Sequence, residues 1–329
     1  MSSPVYAYLT SVARYFKSSL LKREDLDSLL AARDLRELVE VLRDKGIVEN
    51  VQVSSAEQLL MQVKKRANNF LNSLRNLAHN SLVVKKALDI YVALLNADEI
   101  ESAVSYLVYK ERGARVALDA SRLQLLAGYS DAMDSLQSLL QAISKDYPRI
   151  AEAINFAIGN KGAELNLVNG VLEAHLFSSL YKLVTSLRGD WQATLKRILC
   201  GYMDYYSLAL AYTLKRSDLE GCTVKQDAVR NVASSPQLLV DVIKGSEWGK
   251  LVKATTPLEA LAEMKALVRR NARKASYQAF EGDPFSPAGS IAVAELIRLD
   301  YQDLVAIITG IDARLKREKV AEKLSFELV

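Results

Sequence analysis

The chain repeats itself at intervals of about a hundred residues, and that self-similarity limits what it can fold into more than any single residue does. In DYYSLALAYT (204–213) and DYQDLVAIIT (300–309), four identities fall in register: Asp204/Asp300, Tyr205/Tyr301, Leu208/Leu304 and Thr213/Thr309. EIESAVSYLV (99–108) is a weaker copy, with Glu99 in place of the Asp and apolar residues again at Ala103 and Leu107. Small-residue corners recur as well. LLAARD (29–34), LLAGYS (125–130) and NVASSP (231–236) each precede an apolar run. Repetition on this scale means that one supersecondary unit is used several times. The order of elements predicts three related helical units, over 1–115, 116–220 and 221–329.

Composition says of what kind. At 329 residues the chain exceeds the size at which one hydrophobic core stops growing. Leu, Ala, Lys, Arg and Glu, all good helix formers, dominate, and no proline stands between Pro4 and Pro148. The expected fold is all-α. The net charge of +4 is small for this length, so no basic domain offers itself to nucleic acid. Lys64-Lys65-Arg66, Lys85-Lys86 and Arg269-Arg270 are interleaved with apolar residues at helical spacing and read as solvated faces. Cys200 and Cys222 lack any CxxC pairing, which indicates neither a disulfide framework nor a zinc site and fits a reducing cytosolic setting. MSSPVYAYLT has no basic region followed by a long apolar stretch, and no segment approaches the ~18 apolar residues of a membrane span.

Local signals place the helices. Val5, Leu9, Val12 and Phe16 step by three or four along one face. Ser55, with Gln58 three residues on, caps a long helix, and Gly46 ends the one before it. GNKGAELNL (159–167) and FEGDPFSPAG (280–289) read as loops. Pro257 and Pro287 open helices, because proline in the first turn loses no needed hydrogen bond. Ile291, Ala294, Ile297, Tyr301, Leu304 and Ile308 form an apolar stripe that Gly310 is expected to stop. Asp312 is then read as the cap of a last amphipathic helix, DARLKREKVAEKLSFEL.

Chemistry is scarce along this chain. There is no phosphate-binding G-x-x-x-x-G-K-[ST] loop, no GxGxxG after a strand, no HExxH, GxSxG or EF-hand pattern. The predicted catalytic, cofactor-binding and metal-binding sets are therefore empty. His79 and His175, nearly a hundred residues apart, read as packed or surface imidazoles. Asp98, Asp204 and Asp300 have inward helical positions, yet their spacing lacks the clustering that shared metal ions need. A structural polar contact within each unit is the preferred reading. Tyr202, Tyr205, Tyr206 and Tyr212 read as helix packing with a polar tip, or as a cavity wall or protein interface.

YAYLTSVARYFKSSLL, the three-unit repeat and above all the closing SPAGSIAVAELIRLDYQDLVAIITGIDARLKREKVAEKLSF resemble the C-type central-stalk component of the archaeal-type (A-type) rotary ATP synthase, equivalent to the d-type component of V-type ATPases. The resemblance extends over essentially the whole chain. It departs from the family pattern at Asp303, where members commonly carry Asn, and at Ile311, where Lys often follows the glycine. The resemblance implies three similar helical subdomains set around a pseudo-threefold axis as a funnel. It implies a non-catalytic rotor part that joins the central shaft, made of the D and F components, to the membrane rotor ring for ATP synthesis coupled to ion transport. Such a part needs no cofactor and sits peripherally on the cytoplasmic face of the membrane. Two other classes share some of these features: an unrelated all-α interaction scaffold of the solenoid kind, whose repeats are usually shorter, and an all-α enzyme using the inward Asp residues with a divalent ion.

Overall fold

The computed structural model describes residues 3–49, 55–111, 126–146, 148, 151–152, 154–155, 168–187, 189 and 191–326. The expected loop at 159–167 and the expected unit end near Gly113 lie outside the described residues. All regular structure among the described residues is helical, as the composition predicts. The α-helices run α1 (Ser3–Ser18), α2 (Arg23–Ala31), α3 (Leu35–Asp44), α4 (Ala56–Leu77), α5 (Leu82–Leu95), α6 (Ala97–Glu111) and α7 (Leu136–Asp146). They continue as α8 (Val168–Thr185), α9 (Trp191–Leu214), α10 (Gln226–Ser234), α11 (Leu239–Lys244), α12 (Pro257–Gln278), α13 (Ala288–Asp312) and α14 (Arg317–Ala321). The chain forms two compact units, one from Met1–Leu88, Leu187–Gly201 and Ala262–Val329, the other from Asp89–Ser186 and Tyr202–Leu261.

The first unit is built on α13, which packs against α1 and α4. The sequence shows a single apolar stripe on this helix, but every residue from Ala288 to Asp300 is buried. A helix enclosed on all sides belongs to the centre of a unit rather than its surface. Further along α13, Leu304, Ile307 and Ile308 join a core with Leu26 and Leu29 of α2, Leu38 and Leu42 of α3, and Leu59 and Val63 of α4. The α2–α3 corner falls at the LLAARD motif, where Asp34 caps α3 by accepting from the Arg36 and Glu37 amides, both at 2.9 Å. Ser55 caps α4 by accepting from the Gln58 amide at 3.2 Å, as its position predicts.

Two helix ends in this unit share one motif. At the end of α3, the Gly46 amide donates to Arg43 O and the Ile47 amide to Leu42 O, with Gly46 at φ 65°. At the end of α13, the Arg314 amide donates to Ile311 O and the Leu315 amide to Gly310 O, with Arg314 at φ 53°. This paired 5→2 and 6→1 bonding is the Schellman arrangement, whose left-handed residue is ordinarily glycine. Gly310 is therefore not the stop that the sequence suggests, since α13 runs on to Asp312. Gly310 serves close packing instead: a Cβ there would overlap the Val320 side chain of α14. The tail also differs from the single long helix expected. It holds only the short α14, and residues 322–326 are strapped to α12.

The second unit packs α6 against α8; Leu172, Leu176, Phe177 and Leu180 of α8 are buried, and Phe177 stacks on Tyr202 of α9. Pro236 begins a short 3-10 turn between α10 and α11, at the corner read from NVASSP. The cysteines need a correction. Cys200 and Cys222 are both disulfide-bonded and neither is free. Their spacing gives no pairing signal because geometry rather than separation decides it. The loop holding Cys222 folds back onto Asp204, one helical turn after Cys200 on α9.

Candidate interaction site

The repeated acid does one job in both units: it fixes the start of a short helix. In the second unit, the Asp204 carboxylate is fully buried and accepts from the amides of Cys222 (2.7 Å), Thr223 (2.8 Å) and Val224 (3.1 Å). It also accepts from Thr223 Oγ1 at 2.6 Å and from the Trp248 indole Nε1 at 3.2 Å. Gly221 permits this approach, because a Cβ would come within 3.0 Å of Asp204 Oδ1 and closer still to Val224 O. In the first unit, both Asp300 oxygens accept from the Leu21 amide at 3.2 Å. Leu21 and Val224 occupy the same place, each one residue before the lysine, Lys22 or Lys225, that precedes a short helix. The register seen in sequence is thus a register of structure. Glu99, the acid of the weaker copy, is buried as well.

Asp303 proves to be a hub. It accepts from Arg269 Nη2 (2.7 Å), Arg273 Nη2 (3.1 Å), the Ser325 amide (2.9 Å) and Ser325 Oγ (2.5 Å). Arg269 donates to Lys323 O, Arg270 to Glu322 O and Leu324 O, and Arg273 lies over the Phe326 ring at 3.8 Å. The Arg269-Arg270 pair, read in sequence as a solvated face, is instead a clamp on the LSF tail. Nothing in the sequence around Arg269 marks this, since the tail carbonyls it grips lie over fifty residues downstream. Burial pushes the Asp300 carboxyl up to about 6, against the opposing pull of Arg273 at 3.8 Å, the Leu21 amide and Arg66.

The tyrosine group resolves toward packing. Phe177 stacks on Tyr202 at 4.1 Å and on Tyr206 at 5.5 Å, and the Tyr206 hydroxyl donates to Glu173. Burial, with the Glu173 charge adding to it, pushes the Tyr205 hydroxyl up to about 12. His79 is exposed, its Nδ1 3.2 Å from Asn76 O, and His175 is half-buried on α8. Among the described residues no group of three or more His, Cys, Asp or Glu could hold a metal ion. Asp204 accepts from three backbone amides of its own unit, and Asp300 from one.

What remains for an encounter is surface. The exposed side of α1 carries Tyr8 and Tyr15, 54% and 69% accessible, seven residues apart on one face. Tyr15 leads into a groove of about 480 Å³ between α1, the 45–49 turn and α4. Its floor includes Phe70, over which the Arg66 guanidinium sits at 4.8 Å while donating to Ser19 O. Burial lowers the Arg66 pKa. Exposed aromatic rings beside a partly apolar groove suit protein contact rather than chemistry. Sequence reasoning singles out the tyrosines of α9 and passes over those of α1, because a face is known to be uncovered only once its neighbours are placed. Among the described residues, no helix is long and apolar enough to cross a membrane.

A family model described as the ATP synthase (C/AC39) subunit matches residues 9–323. No individual curated protein matches the chain.

Proposed function

The chain belongs to the ATP synthase (C/AC39) subunit family, and we propose that it works there as a non-catalytic rotor part, coupling the central shaft, made of the D and F components, to the membrane rotor ring. In this reading three similar helical units, 1–115, 116–220 and 221–329, surround a funnel that receives the foot of the shaft. The protein lies peripherally on the cytoplasmic face and turns with both partners as ATP synthesis is coupled to ion transport. The family match over nearly the whole chain carries the reading. Its support from chemistry is that the buried acids hold helix starts and tail, which serves stiffness and leaves no reactive constellation among the described residues.

Contact with partners draws on the exposed rings of Tyr8 and Tyr15 and the groove that Tyr15 borders. Burying such rings supplies area at small entropic cost, while charged rim groups set orientation more than strength. The test is capture of the purified D–F complex, and of detergent-solubilised ring, by the full chain at micromolar concentration. Both should bind, and a chain carrying Tyr8→Ala and Tyr15→Ala should lose affinity for at least one. Failure of the unmodified chain to bind either partner would refute the assignment.

A further inference from the structure

Lys17 stands in the last turn of α1, half-buried, with its ammonium over two aromatic faces. Its Nζ lies 5.1 Å from the centre of the Tyr277 ring and 4.6 Å from that of Phe280, both inside cation–π range. Tyr277 belongs to the end of α12 and Phe280 follows just after it, so two helix ends meet around one charge. The arrangement is anchored. Phe280 is buried, and Arg14, one turn back on α1, donates from Nη2 to Phe280 O at 3.3 Å. Among the described residues no other lysine stands over two rings.

What this ammonium lacks is acceptors. Among the described residues Lys17 has neither an ion pair nor a hydrogen bond, whereas Lys45 has Asp25 at 2.6 Å, and Lys110, over the single ring of Tyr106, donates to Asp134 O. A primary ammonium is a compact, strongly hydrated charge with three N–H donors. Held partly out of water against ring faces, it loses hydration and gains no hydrogen bond in return. Burial, joined by the Arg14 charge and opposed by Glu281, holds the Lys17 pKa below the ordinary lysine value. More of the amine is therefore neutral and nucleophilic than on a solvated lysine.

We propose that Lys17 is a site of N-methylation, its nitrogen seated between Tyr277 and Phe280 in a cage that fits the methylated form. In each round the Nζ lone pair attacks the methyl carbon of a sulfonium donor brought by a methyltransferase. The carbon–sulfur bond breaks with its electron pair to leave a neutral thioether, and the proton that the new ammonium sheds passes to water. The side chain keeps its positive charge and exchanges hydrated N–H groups for apolar C–H surface. Ring faces take up such a cation, as the cages that recognise methyl-lysine do. Acetylation does not suit this place, because it removes the charge that the rings and the C-terminal end of α1 both favour.

The chain is isolated from the cells that make it, cleaved beside acidic residues, and the peptide holding Lys17 is sequenced by mass spectrometry. Lys17 should carry methylene mass increments, and lysines without such a cage should carry fewer. Separately, the unmodified full chain is methylated with isotope-labelled formaldehyde and a borohydride reductant, and its methyl signals are followed by NMR, with Lys17→Arg identifying the signal of Lys17. That signal should lie upfield of the other methyl-lysines, because ring faces shield what stands over them, and should titrate at lower pH. Tyr277→Leu should move it most of the way back toward the rest; Tyr277 is only half-buried, so its loss leaves the core of the unit in place. An unmethylated Lys17 in the native chain, methylation spread evenly over the lysines, or a Lys17 methyl signal unmoved by Tyr277→Leu overturns the proposal.

Discussion

Replacing Asp204 by asparagine tests whether the repeated acid holds its loop by charge. The amide oxygen can still accept from the Cys222, Thr223 and Val224 amides, but the NH₂ group now faces Trp248 Nε1 and the Thr223 hydroxyl. The hydroxyl can turn and accept. The indole cannot, and Trp248 is buried, so one donor is left unpaired at about 1–3 kcal/mol. The three amide bonds fall from charge-assisted to neutral strength, at roughly 1 kcal/mol each, partly offset because no charge is desolvated. The net loss expected for Asp204→Asn is about 3 kcal/mol, and Asp204→Ala, which strands all five donors, should cost about 5 kcal/mol or more. Urea unfolding followed by tryptophan fluorescence measures both, since Trp248 is one of only two tryptophans. Amide exchange at residues 222–224 should speed up in step. A loss under about 1 kcal/mol for Asp204→Asn, with those amides still protected, refutes the reasoning.

Two other substitutions have diagnostic signs. Asp300 has its carboxyl pushed up to about 6 in the fold from an ordinary 3.8, so the folded chain holds a proton that the unfolded chain releases between those values. Its contribution to stability therefore falls as pH rises through that window, by about 3 kcal/mol in full. The stability difference between the unmodified chain and Asp300→Asn, followed by denaturation from pH 4 to pH 7, should shrink or reverse accordingly, and a difference that grows with pH contradicts the account. Gly310→Ala would stabilise an ordinary helix interior by about 1 kcal/mol, but here it should cost about 1–3 kcal/mol by colliding with Val320, and adding Val320→Ala should recover part of that loss in melting temperature.

How far the fold was legible depends on distance along the chain. Ser55, Gly46, Pro257 and the small-residue corners act within a few residues of themselves, so their local pattern suffices to place helix ends. The repeat acids were legible as structural because Asp204 and Asp300 recur in register, although their partners were not. Leu21 lies 279 residues from Asp300, and only the packing of α13 against α1 and α4 brings it there. Arg269-Arg270 misled because a charged pair on an amphipathic helix looks alike whether it faces water or a returning tail. Gly310 misled for a related reason: glycine near a helix end commonly marks a stop, and the Val320 contact that requires it becomes visible only after α14 turns back. The disulfide followed the same rule, its geometry set by a loop that returns to Asp204.

The two acid cradles suggest why charge is buried where apolar packing would serve stability as well. Apolar contact is non-directional and tolerates sliding, whereas a carboxylate that takes several amides at once fixes the orientation of the loop it binds. Asp204 fixes the entry to α10 in this way, whereas Asp300 holds the single Leu21 amide ahead of α2, and Asp303 with its arginines holds the tail after α14 through the Ser325 amide and hydroxyl. Each sits where a helix would otherwise pivot about a flexible connection. If the chain turns as the proposed rotor part, a pivot of that kind would store part of every rotation as bending. Desolvating three acids is a reasonable cost for a part whose proposed task is to turn as one piece, and it explains why the acid recurs in the repeat while the loop it grips is recruited from whichever part of the chain lies within reach.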